Sequence, residues 1–149
     1  MYNQDLVLWS EAQAGALPAA ADAGWNAPID WENVAEEIES LARSERRSLA
    51  SHIAIVIGHL LKLQASPANE QAAGWKDTIR RTWDAMADAL ADSPGLRRET
   101  AGMIAKQTAR ARALVWANFR DSGAPPRVYI DAAAYTEAQV LGDWLPTRT

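Results

Sequence analysis

The sequence contains no cysteine and only two histidines among its 149 residues. The missing thiol excludes disulfides, thiol catalysis, zinc–thiolate sites and iron–sulfur clusters. The eight glycines and seven prolines are concentrated at a few junctions between predicted helices. Motifs for a nucleophile–base pair, a phosphate loop, a dinucleotide fingerprint or a zinc site are absent from the sequence. We therefore expect no cofactor, and the sequence does not predict an enzyme.

Long apolar runs and excess positive charge are missing as well. No uninterrupted apolar run approaches the roughly 18 residues that a membrane span needs, and the N-terminus lacks the basic and apolar regions of a signal peptide. The formal net charge of −4 argues against bulk electrostatic binding to nucleic acid. Together with the 48% hydrophobic and 23% charged residues, these features predict one cytoplasmic globular domain over residues 1–149. We expect neither a membrane nor nucleic acid as its partner.

Charge is spread unevenly along the chain. Residues 1–45 carry nine acidic residues and one basic residue, a net charge of −8. Residues 46–92 have a net charge of +1, and residues 93–149 have a net charge of +3. One interpretation is an acidic face that meets a basic partner. The other is that acidic and basic segments face each other within the fold or between subunits.

The hydrophobic periodicity predicts an all-α fold, a helical bundle of about four main helices with one long central helix and a short C-terminal helix. Pro18 is expected to end the first helix in a loop, and residues 128–130 are expected to be extended. In the fourth helix we expect Leu96, Met103, Leu114 and Val115 to be buried. The predicted helices cover residues 3–16, 31–63, 75–91, 94–119 and 137–142.

Helix ends are marked by capping residues. Asp30 is the expected N-cap of the long helix, and Ile29 is spaced to pack on Val34 as a hydrophobic staple. Of the seven tryptophans, we expect Trp25, in the preceding loop, to be the most exposed.

The last two helices have start signals of the same kind. Ser93 is the expected N-cap of the fourth helix, with Pro94 at its first position. Thr136 and Gln139 have the spacing of a capping box for the C-terminal helix.

Polar residues on the apolar face of the long helix are the main candidates for a ligand or metal site. At about 100° per residue, one face collects an apolar set, and Glu45, His52 and His59 fall within about 20° of its centre. Helical bundles hold metals between carboxylates and imidazoles, so these three residues, with Glu37, are the candidates. Glu45, His52 and His59 follow one another at intervals of seven positions, about 10.5 Å along the helix. One ion would therefore need ligands from other helices. A buried polar network is the alternative interpretation. The apolar set on this face is Val34, Ile38, Leu41, Leu49, Val56 and Leu63.

A second polar cluster lies earlier on the same helix. Arg43 and Arg47 lie four residues apart on the face opposite the core, and Glu39 forms an i,i+4 pair with Arg43. Arginine binds phosphate and carboxylate groups bidentately, whereas a salt-bridged solvated face needs no ligand. The candidate interaction residues are Trp31, Glu36, Glu39, Arg43, Arg46 and Arg47.

Several blocks of the sequence resemble the bacterial domain of unknown function 29 family. They read DWEN at 30–33, AEEIESL at 35–41, RSERR at 43–47 and HLLK at 59–62. Shorter matches include Trp75, Thr78 and Ile79, DSP at 92–94, and Tyr135 with Thr136. Ala42 and Leu63 stand where the family pattern has glycine and tryptophan. The resemblance implies an all-helical fold and no particular reaction, since the activity of this family is not established.

Two functions from different classes lead on the sequence alone, ahead of a regulator that contacts nucleic acid through the basic fourth helix. The first is a non-enzymatic protein-interaction or scaffold module, whose partner is another protein or a second copy of the chain. The second is a metal- or small-ligand-binding bundle that uses Glu45, His52, His59 and Glu37. No catalytic motif favours an enzyme in either case.

Overall fold

The computed structural model of the chain describes residues 2–24 and 30–147. Within these residues it contains helices and no strands, as the periodicity predicts. A 3₁₀ segment precedes the fourth helix. The elements are α1 (Leu6–Asp22), α2 (Trp31–Ala65), α3 (Ala72–Asp92), the 3₁₀ segment (Pro94–Glu99), α4 (Thr100–Ser122) and α5 (Glu137–Leu141).

The chain divides into two compact units. The first unit comprises Met1–Ser48 with Ala89–Arg98, and the second comprises Leu49–Asp88 with Glu99–Thr149. The single domain predicted over residues 1–149 stays a prediction. The predicted exposure of Trp25 and the predicted packing of Ile29 on Val34 lie outside the described residues.

The long central helix is confirmed. α2 is unbroken over 35 residues, so it is about 52 Å long at 1.5 Å per residue. The Asp30 carboxylate accepts a hydrogen bond from the backbone N–H of Asn33 at 3.2 Å, which confirms Asp30 as the cap. The capping box of α5 is also confirmed, because the Thr136 and Gln139 side chains each accept from the other's backbone N–H.

The predicted end of α1 before Pro18 is wrong. α1 continues to Asp22 with Pro18 inside it. Proline has no N–H to donate to the carbonyl of Ala14, so the helix loses one hydrogen bond there. The flanking sequence is rich in alanine, the residue with the highest helix propensity, and this offsets the loss.

The predicted cap of the fourth helix is wrong as well. Residues 94–99 form a 3₁₀ segment, and the Ser93 hydroxyl is buried without a hydrogen-bond partner among the described residues. The cap is the Asp5 carboxylate, which accepts from the Gly95 N–H at 2.5 Å and from the Leu8 N–H at 2.9 Å. A Cβ on Gly95 would lie 2.8 Å from the Asp5 Oδ2 atom, so a larger residue would displace the carboxylate from this contact. One carboxylate therefore caps both α1 and the 3₁₀ segment.

The second unit holds most of the large buried apolar side chains. α2 contributes the largest group, and a helix with apolar residues on most of its sides is typically central. Each fully buried Leu, Ile or Met stabilises the fold by about 1.5–3 kcal/mol. The buried apolar residues include Leu49, Ile53, Val56, Ile57, Leu60, Leu61, Leu63, Ile79, Met86, Ile104, Val115, Ile130 and Val140.

The irregular C-terminal segment is attached to the helices by hydrogen bonds. The Arg127 N–H donates to the Ala65 carbonyl at 2.7 Å, and the Trp83 indole N–H donates to the Val140 carbonyl at 2.9 Å. Residues 128–130 form no strand, and Ile130 is buried where the chain passes the core.

Leu114, which was predicted to be buried, is 65% exposed. Leu41 and Val34, on the predicted apolar face of α2, are 43% and 36% exposed. In the first unit, the side of α2 that packs inward is centred on Ala42, which is 1% exposed, rather than on Leu41. A helical wheel assigns one buried face to the whole of α2. In the structure, the side of α2 that is buried in the first unit differs from the side that is buried in the second.

Candidate functional site

The predicted ligand residues stay separate on α2. Glu45, His52 and His59 are each partly buried, and Glu37 is exposed. Because α2 is a regular helix, successive members of the first three are about 10.5 Å apart. Among the described residues no group of three or more His, Asp or Glu side chains is placed to hold a metal ion.

His52 has one polar atom that is buried without a partner. Its Nδ1 atom accepts no hydrogen bond from the described residues. A buried polar atom in this state costs about 1–3 kcal/mol. The polar network that the sequence suggested as an alternative is therefore incomplete at His52.

The predicted interaction residues lie in the first unit on the early part of α2. Trp31 is partly buried, and Glu36 is exposed. The Arg46 guanidinium contacts the Glu11 carboxylate of α1 at 2.6 Å.

The remaining members of this set follow the predicted pattern. Arg43 pairs with Glu39 at 3.4 Å in the expected i,i+4 arrangement. Arg43 and Arg47 are exposed, as predicted. An exposed i,i+4 pair stabilises a helix by only about 0.3–0.5 kcal/mol, so this cluster resembles a solvated face.

A groove between α2 and α4 is the most distinctive surface of the second unit, and we call it the α2–α4 groove. It has a volume of about 410 Å³. Ile55 on one wall is 41% exposed, and Leu114 on the other is 65% exposed. The groove is lined by Ala54, Ile55, Gly58, His59 and Lys62 of α2 and by Gln107, Arg110, Ala111, Leu114, Val115 and Asn118 of α4.

The chemistry of this groove combines an apolar floor with cations. Gly58 and Ala111 leave space near the helix backbones, and a Cβ on Gly58 would have no heavy atom within 4 Å. Lys62 and Arg110 supply positive charge, and none of the lining residues is acidic. Partial burial, together with the charge of Lys62, lowers the pKa of His59 from its ordinary value of 6.5. His59 is therefore neutral at pH 7, and the fixed charge of the groove comes from Lys62 and Arg110.

The groove continues along α4 into a second cavity of about 370 Å³. The two cavities share Lys62, Val115 and Asn118, and the second is also lined by Trp75 of α3. From Gln107 to Ser122 the combined groove follows α4 for about 22 Å, roughly four helical turns.

Another cavity, of about 420 Å³, lies between α4 and the segment before α5. The Tyr135 hydroxyl at its edge donates to the Gln64 side-chain oxygen at 2.5 Å. Burial raises the pKa of Tyr135 well above its ordinary value of 10. The Glu137 carboxylate accepts from the Thr100 hydroxyl, and the Arg112 guanidinium donates to the Asp131 carbonyl. The polar groups around this cavity are therefore engaged in holding the C-terminal segment.

Sequence reasoning missed the α2–α4 groove, although one signal for it was present. No acidic residue occurs between Glu45 and Glu70 or between Glu99 and Asp121. Both walls of the groove come from these two acid-free stretches. The pairing of the stretches is a tertiary contact that periodicity does not specify.

α2 contains a stretch that is long and apolar enough, by length and composition, to cross a membrane. The expectation from the sequence counted only uninterrupted apolar runs and did not identify this stretch. Of its residues, 44% are buried inside the protein. A core helix of a soluble protein has the same length and composition, so the stretch alone does not indicate a membrane span.

Comparison with known proteins supports the fold and gives no reaction. The family described as domain of unknown function DUF29 matches residues 1–145. The crystal structure of an alpha-helical protein of unknown function from Rhodospirillum rubrum is similar, with a TM-score of 0.74 and 22% sequence identity. This similarity covers 95% of the present chain and 89% of the other. No curated protein matches the chain.

Proposed function

The chain belongs to the domain of unknown function DUF29 family, and from this premise and the α2–α4 groove we propose that it is a protein-interaction module. Its partner is a protein that presents an acidic amphipathic helix. The apolar face of that helix lies in the groove, and its carboxylates face Lys62 and Arg110. The observation that carries the proposal is an exposed apolar groove with cations and no acidic lining residue.

The dimensions of the groove favour a helix as the occupant. A helix lying in an apolar groove presents anchors at positions i, i+3 or i+4, and i+7. The combined groove is about four helical turns long. Gly58, which has no side chain, and Ala111, which has only a methyl group, let a second helix approach closely.

The charges favour a protein partner over nucleic acid. Nucleic-acid binding is dominated by phosphate contacts and uses a charged surface. The groove offers two fixed cations around exposed Ile55 and Leu114. Apolar anchors with a few carboxylates fit this combination better than a phosphate backbone does.

A metal- or ligand-binding function for Glu45, His52, His59 and Glu37 gains no support from their arrangement. A metal bound between helices takes ligands that project toward one point. These four residues lie along one helix, and the described residues include no cluster able to complete a site.

A titration with a synthetic helix tests the proposal. The probe is a peptide of about 18 residues, five helical turns, with leucine at i, i+4 and i+7, glutamate beside this leucine stripe and alanine at its other positions, because alanine favours the helix. Added to the ¹⁵N-labelled protein, it should shift the amide resonances of α2–α4 groove residues, and raised ionic strength should weaken its binding. Leu114→Glu should weaken binding about tenfold or more, because it buries a carboxylate among apolar anchors.

Two controls make this titration decisive. Val128→Glu makes the same type of change at a side chain that is 48% exposed and outside the groove, and it should leave binding unchanged. The same peptide with lysine in place of glutamate should bind far more weakly. Equal binding of both peptides, equal effects of the two variants, or no binding at all would overturn the proposal.

A further inference from the structure

We infer that the acidic helix in the α2–α4 groove is residues 31–48 of α2 from a second copy of the chain, lying antiparallel to α2 of the first. This inference rests on the proposed function and names its partner. It would make the protein a homodimer in which each copy both supplies a helix and receives one.

One exposed face of α2 carries the contact. Steps of four and three residues lead from Glu37 through Leu41 and Ser44, and in the later part of the helix to Ile55, Gly58 and Lys62. A face with this spacing drifts by only about 20° per seven residues, so it remains on one side of the helix. Leu41 is 43% exposed and Ile55 is 41% exposed, so two large apolar side chains on this face leave much of their surface open to solvent.

The sequence of this face is complementary to itself when reversed. In the antiparallel register where paired residue numbers sum to 99, Glu37 meets Lys62 of the second copy. Leu41 then meets Gly58, which leaves room for it, and Ser44 meets Ile55. Each large apolar side chain therefore faces a small residue, and the acidic end faces the basic end. Two-fold symmetry forms every one of these pairs twice.

The wider charge pattern favours the same pairing. Residues 31–48 contain five glutamates and three arginines, a net charge of −2. The receiving groove contains Lys62 and Arg110 and no acidic residue. Opposite charges of this kind steer association and set its register.

The occupant must come from another molecule. Residues 31–48 and the groove residues of α2 belong to one unbroken helix. A helix cannot lie alongside itself, so the acidic segment of a chain cannot fill the groove of the same chain. Reciprocal exchange between two copies fills both grooves and closes the assembly at two.

Sedimentation equilibrium over a range of protein concentrations tests the inference. The protein should behave as a monomer–dimer system whose dissociation constant rises with ionic strength. Gly58→Leu should raise this constant about tenfold or more, since it fills the space that Leu41 of the second copy needs. In the monomer the same substitution meets open space and replaces glycine inside a helix, so thermal stability should not fall.

Matched variants separate this contact from general effects. Gly102→Leu makes the same change on α4, also with no heavy atom within 4 Å, and should leave dimerisation unchanged. Glu37→Lys and Lys62→Glu should each weaken the dimer, and the two together should restore it, because the pair is re-formed with its charges exchanged.

The outcomes distinguish this inference from the function on which it rests. A protein that stays monomeric while the synthetic acidic helix still binds would overturn the inference and leave the function standing. A dimer that Gly58→Leu and the charge reversals do not weaken, or an open series of oligomers, would also overturn it. If neither the synthetic helix nor a second copy binds, the inferred homodimer and the proposed function are both overturned.

Discussion

Asp5 shows how a single side chain can complete two helix ends. Its carboxylate accepts from the Leu8 and Gly95 backbone N–H groups, and the residue is only 7% exposed. An N-cap contributes about 1 kcal/mol, and a buried N–H left without its acceptor costs a further 1–3 kcal/mol, approximately. Asp5→Ala should therefore lower the free energy of unfolding by about 2 kcal/mol or more.

Chemical denaturation followed by circular dichroism measures this change. Asp30→Ala is the matched control, since Asp30 caps α2 on an exposed surface. It should cost no more than about 1 kcal/mol. Equal losses for the two variants would contradict the double role of Asp5.

His59 should make stability depend on pH. Its pKa is lowered in the folded chain by partial burial and by Lys62, whereas in the unfolded chain it titrates near 6.5. Below about pH 6.5 the unfolded state therefore binds the proton more readily than the folded state. The stability that neutral His59 contributes is therefore fully present above about pH 6.5. It is lost as the pH falls through the lower pKa that His59 has in the folded chain.

Urea denaturation from about pH 7 to about pH 5 checks this dependence. The free energy of unfolding of the wild type should fall over this interval, and His59→Gln should reduce the slope. The Gly58→Leu background keeps self-association from contributing. An unchanged slope in His59→Gln would show that other groups cause the pH dependence.

At the scale of elements, helix starts with a local chemical signal were predictable and those with a distant partner were not. Asp30 and the pair Thr136 and Gln139 cap their own helices, so the sequence places both starts correctly. Ser93 has the same local signal, yet its hydroxyl is unpartnered among the described residues and Asp5 supplies the cap from 90 residues away. Periodicity also predicted the buried half of α2 and missed the exposure of Leu41 and Leu114, because both depend on which helix lies opposite.

α1 provides a test of helix propensity against a proline. Pro18 removes one hydrogen bond inside α1 and is exposed. Pro18→Ala should stabilise the protein by about 2 kcal/mol, since an interior proline costs about 3 kcal/mol and its stiffening of the unfolded chain returns up to about 1. The thermal unfolding midpoint measures the gain.

The control for this prediction lies in a loop. Pro67 lies between α2 and α3 and is not helical, so Pro67→Ala should not stabilise the protein. In the Pro18→Ala variant, greater hydrogen-exchange protection of the α1 amides on both sides of the substituted position should accompany the gain. A Pro18→Ala protein no more stable than the wild type would show that α1 already accommodates the missing bond without cost.

At the scale of the whole molecule, charge was the most useful guide to the site. The first 45 residues carry a net charge of −8, which fits a separate basic partner, a contact within the fold or a contact between subunits. In the dimer that we propose, the α2–α4 groove receives that acidic segment beside Lys62 and Arg110. The site itself was not predictable from the sequence, because the groove exists only where α2 and α4 pack together. Family membership and the all-helical fold were predicted correctly.

The hydrogen bond between Asp5 and Gly95 also joins two residues that are synthesised at different times during translation. The two residues are separated by 90 positions, which a ribosome adds in about 5–18 s at 5–20 residues per second. The partner of Asp5 in α1, the Leu8 N–H, is only three residues away, whereas its second partner is made only after α2 and α3 have been synthesised. The Asp5 carboxylate therefore lacks that partner until more than half of the chain has been translated, and slow codons before residue 95 would lengthen this interval.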